Sequence, residues 1–151
     1  IVMLFVGVFG LYFLSGFFGD SVFAKGDSSL QGLDINQNGV RDDIDEYIQN
    51  NFTDPLQRKA VFQYAKAMQR SILAGEASLE VAWEVNRSGS LGLNCLYLRF
   101  SDEVGSRHAA AVSTKIEQLS TNTRARSKAY YKFNAILSGT NWTLPEGDTC
   151  E

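Results

Sequence analysis

Residues 54–75 read DPLQRKAVFQYAKAMQRSILAG, the pattern of a single amphipathic helix. Asp54 can accept the unpaired N–H groups of a first turn, and Pro55 sits where its missing N–H costs nothing. Val61, Ala65, Met68 and Ile72 fall on one apolar stripe. Gly75 stands where a glycine in the left-handed region commonly closes a helix.

Outward from this segment, helix signals recur and strand signals do not. Ile44, Tyr47 and Ile48 share i, i+3, i+4 spacing, which predicts a helix stopping near Asn50 or Asn51. A third helical segment is expected from about Ala77, with Leu79, Val81 and Trp83 as its apolar positions. Ser88-Gly89-Ser90-Leu91-Gly92 is expected to interrupt it. The run LGLNCLYLRF at 91–100 suits a helix or a strand; no partner strand is evident, which favours helix. Ser101 is placed to cap a last helix, with Asp102 and Glu103 in its first turn. Val112, Ile116, Leu119, Thr123, Arg126, Tyr130, Phe133 and Leu137 then recur at alternating steps of four and three. They predict one helix of about 36 residues, ~54 Å long, ending at Ser138-Gly139. A break between Ser120 and Thr123 is the alternative. The fold class is therefore all-α, a small helical bundle.

The chain's 151 residues allow one domain and hardly two. A hydrophobic share of 44% with 21% charged residues is that of a folded globule, not a disordered chain. Seventeen acids against fourteen bases give −3, which argues against binding to a nucleic-acid backbone. One histidine and two cysteines exclude a histidine-rich metal site and a four-cysteine zinc site.

The first segment, IVMLFVGVFGLYFLSGFFG, carries no charge before Asp20. Val22 and Ala24 fit the small-x-small rule, so residues 1–24 are expected to be a signal peptide cut after Ala24. The alternative is an uncleaved membrane anchor, since nineteen apolar residues nearly span a bilayer. Either reading places the remainder outside the cytoplasm, periplasmic or secreted, with membrane association only if the segment is retained. Residues 25–33, KGDSSLQGL, read as a linker, and 34–151 as the helical domain.

Residues 34–46, DINQNGVRDDIDE, carry the sharpest chemical pattern. Asp34, Asn36 and Asn38 supply oxygens at loop positions 1, 3 and 5, and Gly39 permits the sharp turn at position 6. Val40 offers its carbonyl at position 7, Asp42 a direct or water-bridged oxygen at 9, and Asp45 a carboxylate at 12. These are hard oxygen donors, the kind that Ca²⁺ takes. Ile35 and Gln37 are expected to point away from the ion and Ile44 to pack inward. The donor count points to an affinity of about 10⁻⁵ to 10⁻³ M. The ion is expected to act structurally, fixing the loop and nucleating the helix after it. The plainer alternative is an Asn-Gly turn followed by an acid-capped helix.

The loop resembles an EF-hand loop, and more closely the dockerin type, in which position 12 is Asp, as Asp45 is here. The resemblance covers residues 34–48. A dockerin has two such loops and this chain one, with Asn38 replacing the usual Asp. It therefore implies a calcium loop and not a cellulosome dockerin. The chain is also similar to small secreted bacterial proteins that pair a loop DxNxNGxRDDI(D/E) with a stretch like Asn122–Asn134, NTRARSKAYYKFN. That similarity implies no activity.

Cys95 and Cys150 are expected to bridge in an oxidising compartment and pin the irregular tail; two free thiols are the alternative. His108 has no acid, serine or cysteine placed beside it by sequence and is read as a surface residue. Glu76, Glu80 and Glu84 recur at i, i+4, i+8 and read as a solvated helix face. Lys115, Arg124, Arg126, Lys128 and Lys132, with Tyr130 and Tyr131, make the basic end of the last helix; charge favourable to a helix C-terminus accounts for Lys128 and Lys132, and a nucleic-acid or anionic-lipid site is the alternative. The expected role is non-enzymatic: calcium-braced binding or scaffolding with a protein or envelope partner. An exported hydrolase, with His108 beside glutamates and calcium as a brace, is the alternative.

Overall fold

The computed structural model describes residues 29–101 and 106–151. The expected signal or anchor at 1–24, the first four linker residues and the Asp102–Glu103 turn lie outside them. Five α-helices and no strand occur among the described residues: α1 Asp42–Asn51, α2 Pro55–Leu73, α3 Leu79–Arg99, α4 Arg107–Ser120 and α5 Arg124–Ile136. None of them is long and apolar enough to cross a membrane.

The central helix is α2, which packs against all four others. It starts as its residues dictate, with Asp54 Oδ1 accepting the N–H groups of Leu56 at 2.9 Å and Gln57 at 2.8 Å. Its stripe of Val61, Ala65, Met68 and Ile72 is buried. Ile44 and Ile48 of α1 join this core, together with Val40 and Phe52 at that helix's two ends. Leu96, Phe100, Val112 and Ile116 complete it from α3 and α4. Phe52 and Phe100 meet edge to face, centroids 5.7 Å apart.

Gly75 differs from its expected role. It is not among the left-handed glycines; instead a Cβ there would lie 2.7 Å from the carbonyl oxygen of Ala129. A side chain is excluded because α5 passes against the turn.

The expected interruption at Ser88–Gly92 is also corrected, because α3 runs through it unbroken. Ser88 and Ser90 each donate their hydroxyl to the carbonyl four residues earlier, Glu84 and Asn86, a bond that a helix accommodates. Gly92 is needed for contact: its Cβ would lie 3.0 Å from the Tyr64 Cα of α2. The buried face of α3 is Ala82, Val85, Ser90, Gly92, Cys95 and Leu96. The expected apolar positions Leu79, Val81 and Trp83 are 50%, 46% and 40% exposed. The absent side chain of Gly92 lets α2 and α3 approach closely, and the large residues at the start of α3, Leu79, Val81 and Trp83, are left outside.

The single long final helix is replaced by its alternative. Thr121–Thr123 separates α4 from α5. Thr121 Oγ1 donates to the Glu117 carbonyl at 2.8 Å, and Thr123 Oγ1 accepts from Arg126 N–H at 3.2 Å as an N-cap. Thr121 thus adds its hydroxyl to the last ladder bond, its own N–H to the same carbonyl at 2.9 Å, and Thr123 opens the next helix. The stripe survives the bend, with Val112, Ile116, Arg126 and Phe133 buried on its two halves.

The tail is irregular and pinned. The Cys95 and Cys150 sulfurs stand at disulfide distance, 2.01 Å. Gln63 Nε2 donates to the Thr149 carbonyl at 2.9 Å, and Thr149 Oγ1 to the Leu91 carbonyl at 2.8 Å. Arg99 pairs with Asp148 at 2.8 Å. Residues 29–33, the described part of the expected linker, also touch the bundle: Gln69 Nε2 donates to the Gln31 carbonyl at 2.8 Å.

Candidate metal centre

Asp34 organises the loop that leads into α1. Its Oδ1 accepts Asn38 N–H at 3.1 Å and its Oδ2 accepts Gly39 N–H at 2.9 Å. Asn36 Oδ1 accepts Asn38 N–H at 3.1 Å, and Asn38 Oδ1 accepts Val40 N–H at 2.8 Å. Each of these turns folds the chain back on itself, as short Asx side chains do. Gly39 takes φ 85°, the left-handed value that its position was expected to need, and Gln37 also enters that region at φ 57°.

The amide groups of Asn36 and Asn38 converge on one atom. Both Nδ2 groups donate to Asp45 Oδ2, at 3.0 and 2.8 Å. Asp34, Asn36, Asn38 and Asp45 are thus joined in one hydrogen-bonded group. Asp42 stands at its edge, with Oδ1 accepting Ile35 N–H at 3.0 Å. Ile35 and Gln37 are exposed, while Val40 and Ile44 are buried in the core. Among the described residues, no three Asp, Glu, His or Cys side chains gather as a metal-holding cluster. What the loop assembles is a mixed set, carboxylate and amide together.

The donor chemistry fits a hard cation. Every side-chain donor in the group is an oxygen or an amide that carries one. An amide oxygen has two lone pairs, so Asn36 and Asn38 Oδ1 each keep one beyond the backbone bond they accept.

Arg41, inside the loop, is a residue that spacing rules passed over. It is 2% exposed and grips Asp43 through two bonds, Nε–Oδ1 2.9 Å and Nη2–Oδ2 2.6 Å. Its Nη1 and Nη2 also donate to the carbonyls of Ser120 at 3.2 Å and Leu119 at 3.1 Å. Those carbonyls end α4 and have no partner further along the helix. Gly32, at φ 72°, lies against this guanidinium arm: its Cβ would be 2.3 Å from Arg41 Cδ and 3.0 Å from Arg126 Nη2. Arg126, also buried, donates to Asn122 Oδ1 at 2.9 Å. The loop and the NTRAR stretch, remote in sequence, therefore meet at Gly32, Arg41 and Arg126. The available signal was a charged residue, Arg126, on a stripe otherwise free of charge.

The remaining candidate residues are dispersed. His108 is exposed and sets its ring edge-to-face on Phe100 at 4.9 Å. Glu76 lies in the turn before α3, so the three spaced glutamates do not share one helix. It pairs with Lys132, whose hydrogen bond holds the Glu76 carboxyl below its ordinary range. Glu84 pairs with Arg70 at 3.4 Å. Of the basic residues, Lys115 lies over the Tyr47 ring at 5.7 Å and Arg126 is buried, so they form no single basic face.

No family model matches the chain, and no curated protein or solved structure is similar to it at a significant level.

Proposed function

We propose that residues 34–45 form an EF-hand-like loop of the dockerin type that binds one Ca²⁺. We further propose that the protein is an exported helical binder or scaffold of the cell envelope or exterior. The observation that carries the reading is that the side chains of Asp34, Asn36, Asn38 and Asp45 gather in one loop; the two amide Nδ2 groups that donate to Asp45 here would give way to an ion, leaving Asp45 and the amide oxygens to hold it. Asp34, Asn36, Asn38, Asp45, the Val40 carbonyl and Asp42 would hold the ion, Asp42 directly or through water. A bound cation draws carboxylate and carbonyl oxygens together and offsets the acid charge at the start of α1. The role is structural: the loop ends in Val40 and Arg41, both packed into the bundle, so fixing it fixes the first helix. Export rests on residues 1–24 read as a signal or anchor and is supported by the Cys95–Cys150 pair.

Calcium titration by calorimetry tests the ion, with an Asp34→Ala, Asp45→Ala double variant beside the parent. One site with a Kd of about 10⁻⁵ to 10⁻³ M, lost in the variant, is the expected outcome. Absence of any binding heat would reduce the loop to a capped turn. Fractionation of the host cell, followed by N-terminal sequencing of the mature protein, tests export and the fate of residues 1–24.

A further inference from the structure

A cavity of about 360 Å³ opens among the helices and the tail, remote from the calcium loop. Four aromatic side chains, Tyr64, Tyr130, Phe133 and Trp142, line it together with Asn134 and the carboxylate of Glu117. No lysine, arginine or histidine lines it. The adjoining cavity, which shares Asn86, Ser90 and Trp142 with it, has Arg87 with Glu84 in its lining, whereas the cavity beside α5 has Lys128 and Lys132 and the one beside the loop Arg41, Lys66 and Arg70.

Tyr64 is 8% exposed, and its hydroxyl forms no hydrogen bond among the described residues. The hydroxyl is not among the buried polar atoms left without a partner, so it opens toward the cavity, where it can donate to an occupant. Burial, reinforced by Tyr130 and Glu117, pushes the Tyr64 hydroxyl above the ordinary phenol range, so it is a neutral donor at pH 7. Burial and Glu117 push Tyr130 the same way, against a hydrogen bond from Asn134.

The charge and the rings select the occupant. An anion would face Glu117 with no counter-charge in the lining. Aromatic faces attract cations through their quadrupole, and more strongly where water is excluded. A neutral molecule would leave the carboxylate unused. We propose that this cavity binds a small organic monocation, an alkylated ammonium group carrying an oxygen-bearing arm. The ammonium sits among the aromatic side chains near Glu117, and Tyr64 donates to the oxygen of the arm. Trp142 reaches the cavity from the pinned tail, so the site exists only in the closed chain.

Calorimetry of the full chain with choline tests this, with 3,3-dimethylbutan-1-ol as the uncharged molecule of the same shape. Choline is expected to bind at one site, and the neutral alcohol about tenfold more weakly or less. Glu117 is exposed, so Glu117→Gln leaves the core intact; it is expected to weaken choline about fivefold. Tyr64→Phe is expected to weaken choline but not tetramethylammonium, which has no oxygen to accept the bond. Circular dichroism confirms that both variants are folded. Equal binding of the neutral alcohol, an unaffected Glu117→Gln variant, or no choline heat up to about 10 mM would overturn the assignment.

Discussion

Arg41 shows how much one residue can carry. A guanidinium at 2% exposure needs its donors placed, and here four of its five N–H groups go to one carboxylate and two carbonyls. The carboxylate of Asp43 is 56% exposed, so the ion pair itself is screened, and the carbonyl bonds matter more. Arg41→Met should therefore lower unfolding free energy by about 2–3 kcal/mol, since it leaves one buried and one partly buried carbonyl without partners. Asp43→Asn should cost about 1 kcal/mol or less. Urea titration followed by circular dichroism separates the two. Gly32→Ala places a methyl on the same arm and forces a left-handed φ on a residue with a Cβ. A loss of about 1–3 kcal/mol is expected from the same measurement. Tyr64 gives a residue-level pH prediction. Its hydroxyl titrates higher in the folded chain than in the unfolded one, mainly because of burial. The folded state thus holds the proton more tightly, and the associated stability is complete below a pH of about 10. It is lost as pH rises beyond that point. Thermal unfolding across pH 8 to about 11 should show a falling Tm that Tyr64→Phe flattens; an identical slope in both proteins would remove Tyr64 as the cause.

At the scale of the element, the two glycines of α3 make opposite predictions. Gly89 has nothing within 4 Å of an added Cβ, whereas Gly92 has the Tyr64 backbone of α2 at 3.0 Å. Gly89→Ala should stabilise the protein by about 0.5–1 kcal/mol through helix propensity alone. Gly92→Ala should destabilise it by about 1–3 kcal/mol by wedging two helices apart. Guanidinium midpoints of the two variants should shift in opposite directions. The same contrast explains what was legible in the sequence. A helix start set by a local cap, such as Asp54, can be read from a few residues, because the bonds that make it span two or three positions; Thr123 makes the same kind of cap, yet its place on an unbroken stripe hides it. The stripe of α2 was legible because its large apolar residues do face the core. On α3 the rule fails, since Ala82, Ser90 and Gly92 are buried, Gly92 against the Tyr64 backbone of α2, and Trp83 is left outside. A run of serine and glycine reads as a breaker only when the partner helix that needs small residues is out of view.

At the scale of the whole molecule, what sequence could not supply is contact at long separation. The oxygen pattern of the loop is local and was legible as a set; that Arg41 would end α4, 78 and 79 residues on, was not. The tail is the clearest case. Nothing in NWTLPEGDTCE marks a wall of a cavity, yet Cys150 carries it back across 55 positions to Cys95 and brings Trp142 over α3. In the chain-entropy picture, closing a loop of that length stabilises the folded state by about 4 kcal/mol, and measured losses on removal are commonly about 2–5. A Cys95→Ser, Cys150→Ser variant should accordingly unfold at lower urea, by about 2–4 kcal/mol, with its helix content at zero denaturant preserved. The hydrogen bonds of Gln63 and Asn94 to the tail run over the same stretch and are individually weak. Once the covalent link is gone they must restrain the freed tail alone. Trp83 lies on α3 and Trp142 on the tail, so the two tryptophans report separately when each is replaced by Phe in turn. Emission from Trp142 should shift to the red in the serine variant, while emission from Trp83 moves less. An unchanged Trp142 spectrum would mean that the hydrogen bonds hold the tail by themselves, and that the disulfide acts only on the unfolded chain.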